Sequence, residues 1–113
     1  MNLPHCIAAE EIVLGTLIID SGKMTQVAGV LHPMHFYDKL NGQLFDLMYS
    51  LFDTNIPIDI ATIAGIAVKS GIFSNKKEAR HYLFRLVNSV INPSAIDDYA
   101  KIIIEKHSRR VTE

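Results

Sequence analysis

Asn92-Pro93-Ser94-Ala95-Ile96-Asp97-Asp98-Tyr99-Ala100-Lys101-Ile102-Ile103-Ile104-Glu105-Lys106 is the stretch that decides the fold class. Asn92-Pro93-Ser94 is turn chemistry, and Pro93 or Ser94 suits the first turn of a helix. Ile96, Tyr99, Ala100 and Ile103 then recur at helical spacing. No glycine or proline follows Pro93 in the sequence. A helix that continues so close to the last residue is expected of a domain belonging to a longer protein, whose chemistry can lie elsewhere. The three consecutive isoleucines, Ile102 to Ile104, span about 200° of a helix, more than one face buries easily. Either helices of this chain wrap the segment, or Ile102 and Ile104 contact another chain.

The same spacing fills the rest of the sequence. Leu44, Leu47, Met48 and Leu51 fall at i, i+3, i+4 and i+7. Ile60, Ile63, Ala64, Ala67 and Val68 repeat the pattern, as do Ala79, Leu83, Leu86, Val87 and Val90. Ile7, Leu14, Leu17 and Ile18 form a stripe near the start, and Met24, Val27, Ala28 and Leu31 a shorter one. No segment sustains period-2 alternation. Leu14, Leu47, Leu83 and Leu86 lie at the centres of these stripes and are the predicted core.

Boundary residues agree with the stripes. Asp20-Ser21-Gly22 separates two helices, and His32-Pro33 stops the second. Asp59 is placed to cap a helix beginning at Ile60. Gly71 follows the last periodic residues of that helix. Asn75 to Glu78 has capping-box spacing. The expectation is an all-α bundle of about six helices, near 5–20, 22–31, 38–55, 59–70, 75–90 and 94–113, with a short 3₁₀ turn at 34–37.

Composition bounds the function. A 113-residue chain favours one domain, large enough to bury about 65% of its unfolded surface. Hydrophobic residues at 49% against 20% charged exclude disorder. Eleven basic and twelve acidic residues leave a net charge of −1, which disfavours strong direct DNA binding by this chain. Cys6 is the single cysteine, so no internal disulfide forms and a reducing compartment is expected. Glu10 and Glu11 interrupt the N-terminal apolar stretch, which argues against a signal peptide. No apolar run approaches the ~20 residues of a membrane span. The expected location is cytoplasmic.

Few residues invite chemistry. His32-Pro33-Met34-His35 holds two metal-type ligands, but zinc needs three or four, and no further ligand motif accompanies them. Loop packing is the better reading. His5 beside Cys6 cannot pair across a helix surface, since adjacent residues diverge. The pairs Glu10-Glu11 and Asp97-Asp98 fall in or near first helical turns, where the helix dipole favours negative charge. Lys106, Arg109 and Arg110 complement the opposite dipole end. Gly15, Gly29 and Gly65 sit inside predicted helices at a cost of ~1 kcal/mol each, which close helix packing would offset. No glycine-rich phosphate loop can be drawn through the glycines. No catalytic, cofactor or metal site is expected.

Four segments together resemble the N-terminal domain of bacterial replicative DNA helicases of the DnaB type. Ala9-Glu10-Glu11-Ile12-Val13-Leu14-Gly15-Thr16-Leu17-Ile18-Ile19-Asp20 resembles that family's "AEQ-x-VLG-x-L-x-x-D" helix. His35-Phe36-Tyr37 resembles its "x-FY" turn, and Pro57-Ile58-Asp59 with Thr62 its "PID-x-x-T". Asn92-Pro93-Ser94-Ala95 with Tyr99-Ala100-Lys101-Ile102 resembles "TPSA…YA-x-I". Glu11 departs from the usual glutamine, and Leu40-Asn41-Gly42-Gln43 lacks the histidine and basic residue common after "FY".

The resemblance implies a helical domain on the N-terminal side of a hexameric ring. It implies self-association into a collar built from dimers, aided by a helical hairpin after this segment. It also implies recruitment of primase and of a helicase loader. ATP and Mg, and most DNA contact, would belong to a separate C-terminal RecA-like domain. Under this reading Ile102 and Ile104 are the candidate oligomer interface. A free-standing helical adaptor without helicase activity is the alternative. A small helical DNA-binding protein ranks third, and an enzyme acting alone ranks last.

Overall fold

The computed structural model describes residues 5–112 and is all-α, with no strand among them. Six α-helices follow in order: α1 (Ile7–Ile19), α2 (Met24–Val27), α3 (Lys39–Asp53), α4 (Ile60–Lys69), α5 (Lys76–Asn88) and α6 (Ile96–Thr112). Three 3₁₀ turns, at Ser21–Lys23, Pro33–His35 and Pro93–Ala95, precede α2, α3 and α6. Glu113, the expected last residue of the final helix, lies outside the described residues.

Side-chain caps fix where the helices start. Asp38 accepts from the Asn41 amide, Asp59 from Thr62 and Asn75 from Glu78. Each carbonyl or carboxylate oxygen thereby satisfies a backbone donor that has no partner within the helix. Two helices stop by one device. After α3, Asn55 adopts φ 59° while the Ile56 amide reaches back to the Leu51 carbonyl at 2.8 Å. After α4, Gly71 adopts φ 78° while the Ile72 amide reaches Ala67 at 2.8 Å. This left-handed closure satisfies the last carbonyls, and glycine adopts it without strain.

The second helix is shorter than expected, four residues rather than about ten. Gly22 and Gly29 bracket it, and so short a segment gains too little to offset helix nucleation.

α1 is the central element and packs on α3, α5 and α6, while α4 packs on α5. Its buried positions, Ala9, Glu10, Val13, Leu14, Gly15, Thr16 and Leu17, surround most of its circumference. That is why α1 is apolar nearly all round instead of carrying one stripe. Gly15 permits its approach to α5. A Cβ there would lie 2.1 Å from the Leu86 carbonyl oxygen and 2.9 Å from a Val90 methyl. Gly29 and Gly65 do not serve this purpose: a Cβ at either meets nothing within 4 Å. The packing explanation therefore holds for Gly15 alone of the three.

Leu14, Leu83 and Leu86 are 0% exposed. Leu47 is not in the deep core; it is half-buried and packs at its edge. The buried face of α3 runs through Asn41, Leu44, Phe45, Met48 and Leu51. Leu47 lies about 100° around the helix from Met48, at the rim of that face. The stripe read from the sequence left out Phe45 and Asn41, both 0% exposed, and so was rotated toward Leu47.

Candidate functional site

The most completely built polar feature joins three helices. Glu10, in the first turns of α1, is 1% exposed. Its carboxylate accepts from the Tyr37 amide at 2.7 Å and the Asp38 amide at 3.3 Å. It also accepts from the Asn41 side-chain amide at 3.1 Å. Asn41 in turn receives the Tyr82 hydroxyl of α5 on its carbonyl oxygen. The Arg85 guanidinium lies 4.8 Å from the centre of the Tyr82 ring and pairs with Glu11 at 2.9 Å.

Glu10 lies in the first turn of α1, as its reading as first-turn complementation requires. Its carboxylate also holds the start of α3, and Glu11 pairs with Arg85, neither of which that reading foresaw. Burial raises the Glu10 pKa above its ordinary 4.5, and the three hydrogen bonds only partly oppose that. Burial likewise raises the Tyr82 hydroxyl to about 12, helped by the Asp38 and Glu11 carboxylates. Every buried side-chain polar atom among the described residues has a partner. The network is closed, and its groups face one another.

A second cluster lies where the 33–37 segment meets the end of α6. His35 is buried, and its Nδ1 accepts from the His32 amide at 2.9 Å. The His107 ring of α6 meets it edge-on with centroids 4.9 Å apart. Arg110 donates to the His35 carbonyl at 2.8 Å and lies 5.4 Å from the centre of the Tyr37 ring. His5 stacks on that ring at 4.1 Å. Burial lowers the His35 pKa below 6.5, and the positive charges of His107, His32 and Arg110 add to the effect. Arg110 therefore fastens a loop, where the sequence alone gave it a dipole role.

His32 and His35 face one another across a capping turn, and no group of three metal-type ligands occurs among the described residues. His5 turns to Tyr37, while the half-buried Cys6 packs against the core. Ile102 and Ile104 are half-buried and pack against the core from its edge. Ile104 lines a groove with Gln26, Val30 and Ala100. An open cleft of about 550 Å³ runs beside Met34, Tyr37, Lys39 and Asp46. No described helix is long and apolar enough to cross a membrane.

Sequence reasoning missed Asn41, Tyr82, Arg85 and His107. One signal was present: a carboxylate inside a helix apolar on nearly every side needs buried donors.

A small helical bundle whose best-organised polar groups hold helix ends together is an all-α domain in which those groups serve the packing. The chain belongs to the DnaB-like helicase N terminal domain family, whose model matches residues 2–105. It is 32% identical over 108 residues to a probable replicative DNA helicase of Trieres chinensis, covering 96% of this chain and 24% of that protein. It is 30% identical over 103 residues to the replicative DNA helicase DnaC of Bacillus subtilis, covering 91% of this chain and 22% of that protein. The N-terminal domain of DnaB helicase from Mycobacterium tuberculosis, known from its crystal structure, superposes with a TM-score of 0.89 at 27% identity. That match covers 96% of this chain and 75% of the other. The chain thus spans less than a quarter of the length of these two curated relatives.

Proposed function

We propose that this chain is the assembly and partner-recruitment domain of a hexameric replicative DNA helicase. It contributes to a collar of self-associating domains and offers a surface to primase and a helicase loader. ATP hydrolysis, its Mg, and most strand contact reside in a separate C-terminal RecA-like domain of the parent protein. The observation that carries this reading is the family match along residues 2–105, in a chain with no glycine-rich phosphate loop. Ile102 and Ile104, half-buried at the edge of the core, are the proposed contribution of α6 to assembly.

The test compares the parent protein with and without residues 1–113. Mass in solution and co-sedimentation with primase are the readouts. Loss of the hexamer and of primase association, with ATP hydrolysis retained, is the expected result. A hexamer that survives the deletion and still carries primase would overturn the reading. A parent gene that encodes no RecA-like domain would favour the free-standing adaptor instead.

A further inference from the structure

Four of the five histidines of the chain, His5, His32, His35 and His107, surround the 33–37 segment. His35 is the buried member, and its geometry fixes its protonation. Its Nδ1 already accepts the His32 amide hydrogen, so a neutral ring carries its proton on Nε2. A second proton can be placed only on Nδ1. There it would face the His32 N–H head-on and remove the side-chain hydrogen bond that caps the turn.

Charge adds to this. The His107 and Arg110 side chains of α6 approach from one side and His32 from another. Lys106 and Arg109 occupy the same stretch of α6. Two of the acids that enter the region are occupied. Glu10 of α1 holds the Tyr37 and Asp38 amides and Asn41, and Asp38 caps α3. From α3, Lys39 and Asp46 line the cleft beside Pro33 and Met34. The partners that bear on His35 electrostatically are all cationic.

We propose that the 33–37 segment and the last two turns of α6 form a proton-operated latch. With His35 neutral, His107 and Arg110 hold the end of α6 on the loop. Protonation of His35 removes the His32 N–H hydrogen bond to its ring, sets like charges against one another and releases that end. The released segment is residues 106–112, the end of α6.

The sign follows from linkage. His35 binds its proton more weakly in the latched state than when free. Latch stability is therefore complete above the free value of 6.5 and lost as pH falls below it toward the latched value.

Nuclear magnetic resonance on the 113-residue chain tests this through histidine ring titration and amide exchange corrected for intrinsic rates. One linked proton changes an opening equilibrium by at most about tenfold per pH unit, so protection of residues 105–112 should fall, by up to that factor per unit, as pH drops below 6.5. Protection at 97–103 should persist, and the His35 ring should titrate below 6.5. In His107→Gln, whose altered side chain is only half-buried, the His35 midpoint should rise and the loss of protection should shrink. His81→Gln, on α5, should match the parent chain. Unchanged protection of 105–112 at the lower pH would overturn the proposal, and so would an equal loss in His107→Gln.

Discussion

Replacing Glu10 with alanine should cost this domain more than any other single surface-accessible-looking change in its sequence. The substitution removes an acceptor from three donors: the Tyr37 and Asp38 amides and the Asn41 side chain. A hydrogen bond to a charged group is worth about 1.5–3 kcal/mol, and a buried donor left unpaired costs about 1–3 kcal/mol. The three are not equal. Asn41 is 0% exposed, so water cannot replace the lost partner there. The Asp38 bond, at 3.3 Å, is the weakest and contributes least. Against these losses stands the relief of no longer burying a carboxylate, the same burial that raises the Glu10 pKa. The balance is a loss of about 2–4 kcal/mol, out of the ~5–15 kcal/mol typical of a domain.

Urea unfolding followed by helical circular dichroism measures the loss directly. Glu10→Gln keeps one carbonyl acceptor and should lose about half as much. The two also differ in pH dependence. Glu10 has a folded pKa raised above 4.5, so its stabilising contribution is complete below that value and lost as pH rises through the folded value. The parent chain should therefore gain on Glu10→Gln as pH falls toward 4.5. A loss below ~1 kcal/mol for Glu10→Ala would show that water reaches these donors, and the closed-network argument would fail.

Gly15→Ala should destabilise by about 1–3 kcal/mol, because the new methyl meets the Leu86 carbonyl carbon and oxygen, whereas Gly65→Ala, in open space, should stabilise by roughly 0.5–1 kcal/mol. Thermal unfolding of the pair tests the sign; equal effects would refute the close crossing of α1 and α5. Leu83→Ala should cost about 2–5 kcal/mol, and the rim residue Leu47→Ala about half that, by the same unfolding measurement. Changing Ile102 and Ile104 together to Lys should leave the chain a folded monomer, since a lysine stem can lie along a half-buried edge with its ammonium in water. The same double change should weaken the oligomer of the parent protein; a chain that unfolds instead would return both residues to the core.

The helices were legible because each rests on local chemistry. Asp59, Asn75 and Gly71 act within three or four residues of themselves, and spacing alone exposes them. The error at Leu47 has a different origin. The search for apolar periodicity took Leu47 in place of the fully buried Phe45 and passed over the polar Asn41, both of which lie on the real face. Asn41 is buried because Glu10 and Tyr82, 31 and 41 residues away, satisfy its amide. No spacing rule reaches that far. The histidine cluster was opaque for the same reason: His35 and His107 meet only once α6 has folded back over the 33–37 segment.

The departures from the family pattern gain meaning in that light. Leu40-Asn41-Gly42-Gln43 lacks the histidine and basic residue common at this place, and two of its four residues are put to specific use. Asn41 links α1 to α5 through neutral donors and acceptors. Gly42 lets α3 approach the 3₁₀ turn, where a Cβ would lie 3.1 Å from the Pro33 carbonyl oxygen. Both act on the loop that Glu10 and Arg110 also hold. On the α1 side of that loop Glu10 is held above its ordinary carboxyl value by burial. Where the loop meets α6, His35 is held below its ordinary value. The two sides then answer acid with opposite signs: protonation relieves the burial of the Glu10 charge, whereas it loosens the hold of His35. Any motion set off by mild acid should therefore start at the end of α6 and spare the junction of α1 with α3, which orders the expected loss of amide protection along the chain.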